Sequence, residues 1–275
     1  MEAVLLGLFM VSACGFTVLL EYPASPAHRA IADPFLRRLV IGLAMGVTAV
    51  ALIYSPWGKQ SGAHMNPAFT VTFARLGKVA PRDAVGYVVA HFLGGVAGVA
   101  VAGVALPGLV SDPSVNFAVT VPGPRGVGVA FLAEAAMCFL LVLAVLVVSN
   151  HPRWASRTGL VVGTLLATYI TFEAPLSGMS LNPARTVGSA FFAHEWRALW
   201  LYFTAPLLGM LAASEVYIRV RGANSVFCAK LHHQNPKRCI FCEFHREPFS
   251  AGMHYSPRQP DGSSAPLRLV KEIEE

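Results

Sequence analysis

Asparagine followed by proline and alanine occurs twice in this chain, at Asn66-Pro67-Ala68 and at Asn182-Pro183-Ala184. Asn is a favoured helix N-cap, because its side-chain oxygen accepts an orphan backbone N–H. Pro at the first helical position gives up no needed hydrogen bond. One such tripeptide carries little weight, since it caps many soluble helices. The surrounding frame is repeated as well: Ser61-Gly62-Ala63-His64-Met65-Asn66-Pro67-Ala68 aligns with Ser177-Gly178-Met179-Ser180-Leu181-Asn182-Pro183-Ala184, and five positions are identical. A helix N-terminus carries a partial positive charge. Two of them, each bearing an amide NH₂, would welcome a neutral molecule with lone pairs and repel a cation. Arg185, one residue beyond the second tripeptide, adds a full positive charge and further donors.

A second group of chemistry-bearing residues lies near the C-terminus. Cys228, His232, Cys239, Cys242 and His245, with His233 adjoining, combine a Cys-x-x-Cys step with imidazoles. Thiolate and imidazole at such spacing suit zinc. The other reading is a basic tail whose cysteines are incidental. No cofactor is expected elsewhere, and no Ser/His/Asp or Cys/His catalytic arrangement is present in the apolar part, so an enzyme is not expected.

The elements that must position these groups are set by composition. Hydrophobic residues make up 55% of the chain and charged residues 13%, against about 25% charged in soluble domains. Six apolar stretches approach the roughly 20 residues that a membrane span requires: about 2–20, 36–55, 84–106, 126–148, 158–175 and 197–218. In lipid the backbone must satisfy itself, so these should be helices. Charge then divides the chain into a transmembrane part, 1–218, and a tail, 219–275, in which 57 residues hold 9 of the 21 Lys+Arg. Beyond about Ser250 the tail is rich in Pro, Gly and Ser, which predicts disorder. The Lys and Arg bias of the connections favours cytoplasmic termini. The net charge of +6 is therefore a topology signal, and nucleic acid is not an expected partner.

Two connections, Ser61–Leu76 and Ser177–Phe192, are too apolar to be ordinary loops and long enough for half a bilayer. They occupy matching places in two repeats, about 1–106 and 126–218. With three spans to each repeat, the halves enter the membrane in opposite orientations, and half-length segments so placed point to a midplane site. Within the spans, Glu2 and Glu134 are intramembrane carboxylates, which proton coupling in a transporter could use. Arg185 either faces a water-filled path or snorkels to a headgroup.

The paired tripeptides, the Arg after the second, the acidic residue near the start of each half and the run Trp200–Gly209 resemble the aquaporin, or major intrinsic protein, family. The resemblance covers about Glu2–Tyr217. It implies an all-α membrane fold of six tilted spans and two re-entrant half-helices. It also implies a homotetramer in the cell (inner) membrane, with a pore in each subunit. By the same resemblance, Asn66, Pro67, Ala68, Asn182, Pro183 and Ala184 form the pore centre, and His64 lines a vestibule, unless it is a packed core residue. Glu2 and Glu134 then hold the backbone N–H groups of the re-entrant loops. Met45, Ile170, Met179 and Arg185 form the outer constriction, with Gly46 as the alternative to Met45.

The implied activity is passive passage of a small neutral solute. Water-selective members usually place an aromatic residue and a His at the constriction, and this chain has neither. Glycerol facilitators usually follow the Arg with Asp, and this chain has Thr186, while Ala190, Tyr202 and Phe203 look like the water-channel subgroup. Water is the expected solute, with glycerol, urea and ammonia as alternatives. Two functions of another class stay open: a proton-coupled secondary transporter, and a regulatory membrane protein acting through its tail.

Overall fold

The structure, a computed structural model, describes residues 1–237 and 239–242. Among these residues every regular element is helical. In chain order the α-helices are α1 (Glu2–Glu21), α2 (Pro26–Ala30), α3 (Pro34–Tyr54), α4 (Pro56–Ser61), α5 (Pro67–Arg75), α6 (Pro81–Ala105), α7 (Val127–Ser149), α8 (Thr158–Phe172), α9 (Ala174–Ser177), α10 (Pro183–Ala193) and α11 (Leu199–Arg221). Proline stands in the first turn of α2, α3, α4, α5, α6, α9 and α10, where its missing N–H costs nothing.

Five of these helices, α1, α3, α6, α7 and α11, are long and apolar enough to cross a membrane, with mean hydropathy from 1.4 to 2.8. Their outer faces carry large apolar side chains. Val47, Leu93 and Leu132 are 68%, 64% and 69% exposed, a cost in water and none in lipid. The chain is a multi-pass membrane protein. The stretch 158–175, read from sequence as a full span, differs: α8 has 15 residues, or about 22 Å. Pro175 explains its end. It has no N–H to give the carbonyl four residues back, so the helix closes at Phe172 and restarts as α9. The last long helix runs on to Arg221, three residues past the expected boundary.

The packing follows the sequence repeat. Helix α1 lies against α6, α7 against α11, and α3 against α8. Small residues permit these approaches. A Cβ at Gly98 would strike the backbone of Gly7, and one at Gly209 the backbone of Ala135. The short helices cross over: α5 packs on α11 as well as α6, and α10 packs mainly on α6. The core that results holds polar groups as well as apolar ones, with Glu134 and His91 fully buried.

Candidate functional site

Two loops of one shape lead into α5 and α10. Gly62 and Gly178 cap α4 and α9 in the left-handed region, at φ 102° and 78°. Ala63 and Met65 in the first loop, and Met179 and Leu181 in the second, also have positive φ. Each such position costs a residue with a Cβ about 1–2 kcal/mol, and it persists only where the surroundings over-determine it.

Buried carboxylates supply that determination. Glu2, on α1, accepts hydrogen bonds from Ser61 Oγ (2.5 Å) and from the backbone amides of His64 (3.3 Å) and Met65 (2.7 Å). Glu134, on α7, accepts from Ser177 Oγ (2.7 Å) and from the amides of Ser180 (2.6 Å) and Leu181 (2.7 Å). A tyrosine grips each loop from the other side: Tyr87 Oη donates to the Ser61 carbonyl and Tyr202 Oη to the Ser177 carbonyl, both at 2.5 Å. The halves diverge four residues after each tyrosine. There α6 has His91, whose Nε2 lies 2.8 Å from Glu2, while α11 has Pro206.

The loops bring the N-termini of α5 and α10 together. Asn66 Oδ1 accepts from the Ala68 amide (2.9 Å), and Asn182 Oδ1 from the amides of Ala184 (3.0 Å) and Arg185 (3.3 Å). Each side-chain nitrogen then crosses to the opposite loop. Asn66 Nδ2 donates to the Leu181 carbonyl at 2.8 Å, and Asn182 Nδ2 to the Met65 carbonyl at 2.6 Å. A carboxamide nitrogen has two hydrogens. One per asparagine is used in this cross-brace, and the second is left for a molecule beside it.

That space exists. A cavity of about 330 Å³ is lined by Asn66 and Asn182. On α1 its lining residues are Leu6, Phe9, Ala13, Thr17 and Glu21, and on α3 they are Arg38, Ile41, Met45, Ala49 and Ile53. Steps of three or four residues mean that one face of each helix follows the cavity for about 22 Å. Met45, Ile170, Met179 and Arg185 all line it. Gly46 does not; it faces the Gly163 carbonyl across the α3–α8 contact. Arg185 Nη1 is buried and bonds no acceptor among the described residues. Most other lining side chains are apolar, the further polar ones being Thr17, Glu21, Arg38, His64 and Ser180.

His64 also lines the cavity, on the side away from Arg38. It is buried, with Nδ1 2.8 Å from Thr70 Oγ1 and Nε2 2.8 Å from the carbonyl of Ala229 in the tail. The tail thus returns to the membrane part, which the sequence did not announce. The metal-ligand set also needs correction. Cys228, Cys239 and Cys242 converge with His233, each giving an atom within 4.8 Å of the others. His232 points elsewhere, edge-on to the Tyr54 ring at 4.9 Å. His245 lies outside the described residues.

Residues 2–217 match the family described as major intrinsic protein. The chain belongs to that family. Aquaporin NIP3-1 of Oryza sativa subsp. japonica is 37% identical over 175 residues, 63% of this chain and 55% of that protein. The chain thus spans little more than half the length of this relative. Glycerol uptake facilitator protein-like 6 of Lactiplantibacillus plantarum is 36% identical over 184 residues, 64% of this chain and 82% of that protein. The X-ray structure of the aquaglyceroporin from Plasmodium falciparum superposes with a TM-score of 0.67 at 22% identity, covering 82% of this chain and 96% of that one. That likeness shows the fold.

In this major intrinsic protein, several residues that line the cavity or hold its loops were not singled out from the sequence. Arg38 and Glu21 both line one end of the cavity, and no motif marks either of them. Tyr87 and Tyr202, 26 and 25 residues after the serines they grip, could have been found by aligning the repeats beyond the tripeptides. His91 had a partner in Glu2 that its helix alone does not reveal.

Proposed function

We propose that this protein is a passive channel for water, conducting through the cavity between the two Asn-Pro-Ala loops. The observation that carries the reading is the pair of cross-braced asparagines, each with one amide hydrogen to spare, that line that cavity. A water oxygen passing there accepts from both. Two helix N-termini add positive potential at the same point. A cation is repelled, and a file of waters forced to accept on both sides cannot relay a proton. This is the general basis of selectivity in pores of the type. Arg185 forms a second barrier together with Met45, Ile170 and Met179.

The proposed topology counts α8 with the five longer helices as a sixth span, with α5 and α10 as half-spans that enter from opposite sides. Both termini then lie on the cytoplasmic side of the inner membrane, and four copies assemble around an axis outside the pores. Glu2 and Glu134 hold the loops and couple no proton, since every bond given above for them ends on a loop or on His91.

A second reading, a channel for small neutral solutes such as glycerol, urea or ammonia, has its own support. Three of the four constriction side chains, Met45, Ile170 and Met179, are apolar, and the two methionines are unbranched and flexible, which suits an amphiphilic solute better than water alone. One relative is named a glycerol uptake facilitator-like protein and another an aquaporin. Stopped-flow light scattering on proteoliposomes separates these readings. Fast osmotic shrinkage with glycerol and urea excluded supports water. Re-swelling at rates near that of water supports the second reading. Permeability no greater than that of empty vesicles, with the tail intact and with it removed, rejects both.

A further inference from the structure

The segment 226–242 does two things at once. It gathers Cys228, His233, Cys239 and Cys242 into one cluster, and it covers the His64 end of the cavity. The cluster is a Cys-x4-His-x5-Cys-x2-Cys pattern. Cys228 Sγ and Cys239 Sγ are 3.4 Å apart, and His233 Nε2 is 3.1 Å from Cys242 Sγ. Around one tetrahedral zinc the ligand atoms would stand about 3.5–3.8 Å apart, so small side-chain adjustments admit the ion. Three thiolates and a neutral imidazole are a structural zinc set, softer than calcium or magnesium would take. Zinc with three thiolates leaves one net negative charge. Lys230 stands within electrostatic reach of the three sulfurs, buried, its Nζ without an acceptor among the described residues.

The contacts on the cavity mouth fall between the ligands. Between Cys228 and His233, the Ala229 carbonyl meets His64 Nε2 at 2.8 Å and the Leu231 amide donates to the Gly62 carbonyl at 3.2 Å. The Leu231 side chain lines the cavity itself. Between Cys239 and Cys242, Phe241 stacks on the His64 ring at 5.5 Å with planes 8° apart, and lies 5.9 Å from Tyr87. Both pieces of the cover are therefore bracketed by ligand pairs. Among its described residues the segment has no helix or strand, and a single 3-10 turn, Ala223–Ser225, precedes it. A metal clip is the kind of constraint that holds such a segment in one conformation.

We propose that Cys228, His233, Cys239 and Cys242 bind one zinc ion, and that the metal locks Ala229, Leu231 and Phe241 over the pore mouth as a plug. Zinc-loaded protein is closed, and metal-free protein is open. The closing effect rests on the channel reading above; the metal site and the docking of the tail do not.

The test uses the full chain. Purified protein stripped with a chelator is titrated with cobalt, whose tetrahedral thiolate spectrum reports the site. Hydrogen exchange at residues 226–237 is followed with and without zinc, and osmotic shrinkage is measured in proteoliposomes with the tail side accessible. We expect one cobalt per chain, with Cys239→Ser abolishing the spectrum. Zinc should slow exchange in the tail, and at about a hundred times its dissociation constant it should lower permeability by roughly tenfold or more. Leu231→Ala with Phe241→Ala should bind cobalt normally and fail to close. The wild-type chain with and without metal gives the answer even if Cys239→Ser does not fold. Absence of stoichiometric cobalt, a disulfide between Cys228 and Cys239 in reduced preparations, or flux unchanged by a metal that does bind would overturn the proposal. If zinc docks the tail but no form of the protein conducts, the metal site stands and the channel reading falls.

Discussion

Arg185 brings to the cavity a guanidinium whose buried Nη1 bonds no acceptor among the described residues. Replacing it removes both a donor and a charge from the proposed constriction. Arg185→Ala should therefore leave water permeability within a few-fold of wild type while raising glycerol and ammonium passage about tenfold, the worth of one hydrogen bond to a charged group. Solute-swelling and ammonium-conductance measurements on the same vesicles check this, and unchanged selectivity would remove Arg185 from the constriction. Met179 faces the same space, whereas Cys14 and Cys138 are buried away from it. Mercurial block at this site should be weak in the wild type and become strong and thiol-reversible in Met179→Cys. The sequence disclosed the motif residues because repetition singled them out. It did not disclose the roles of Arg38 and His91, nor which of the adjoining His232 and His233 joins the cysteines. Their roles depend on what another helix or the next turn of chain places beside them, and no spacing rule carries that information.

Helices α7 and α11 touch where Gly209 has no side chain to hold them apart. Gly209→Leu forces these backbones outward and should cost about 2–3 kcal/mol or more. The loss would be seen as a lower melting temperature in detergent and less folded protein on size exclusion. A similar effect at Gly103, where a Cβ would meet nothing, would show that the cost is general and owes nothing to the contact. Element existence was legible from hydropathy: the six apolar stretches all became helices. The end of α8 was misread because hydropathy ignores the missing N–H of Pro175. The loops before α5 and α10 were read as helix starts from Asn-Pro, but their left-handed turns at Ala63, Met65, Met179 and Leu181 have no local signature. Those residues take that shape because Glu2 and Glu134, distant in sequence, require it.

Taken whole, the molecule has two similar loops around one cavity, and two buried charges, Glu2 and Glu134, hold those loops in place. Osmotic water flux should therefore be unaffected by a pH difference across the vesicle wall, and the same vesicles should hold that difference for minutes. Collapse of the gradient during water flow, measured with an entrapped pH dye, would restore the proton-coupled alternative. The cross-brace also sets an order on biogenesis. Glu2 is available to the first loop as soon as that loop is made, but the Asn66 amide nitrogen bonds a carbonyl at position 181. Until the ribosome has released that stretch, the nascent first half holds a polar side chain in lipid without its final partner. The last step of maturation is thus a mutual one: each half is completed by the other, and a chain stalled midway through synthesis has no finished half to rescue.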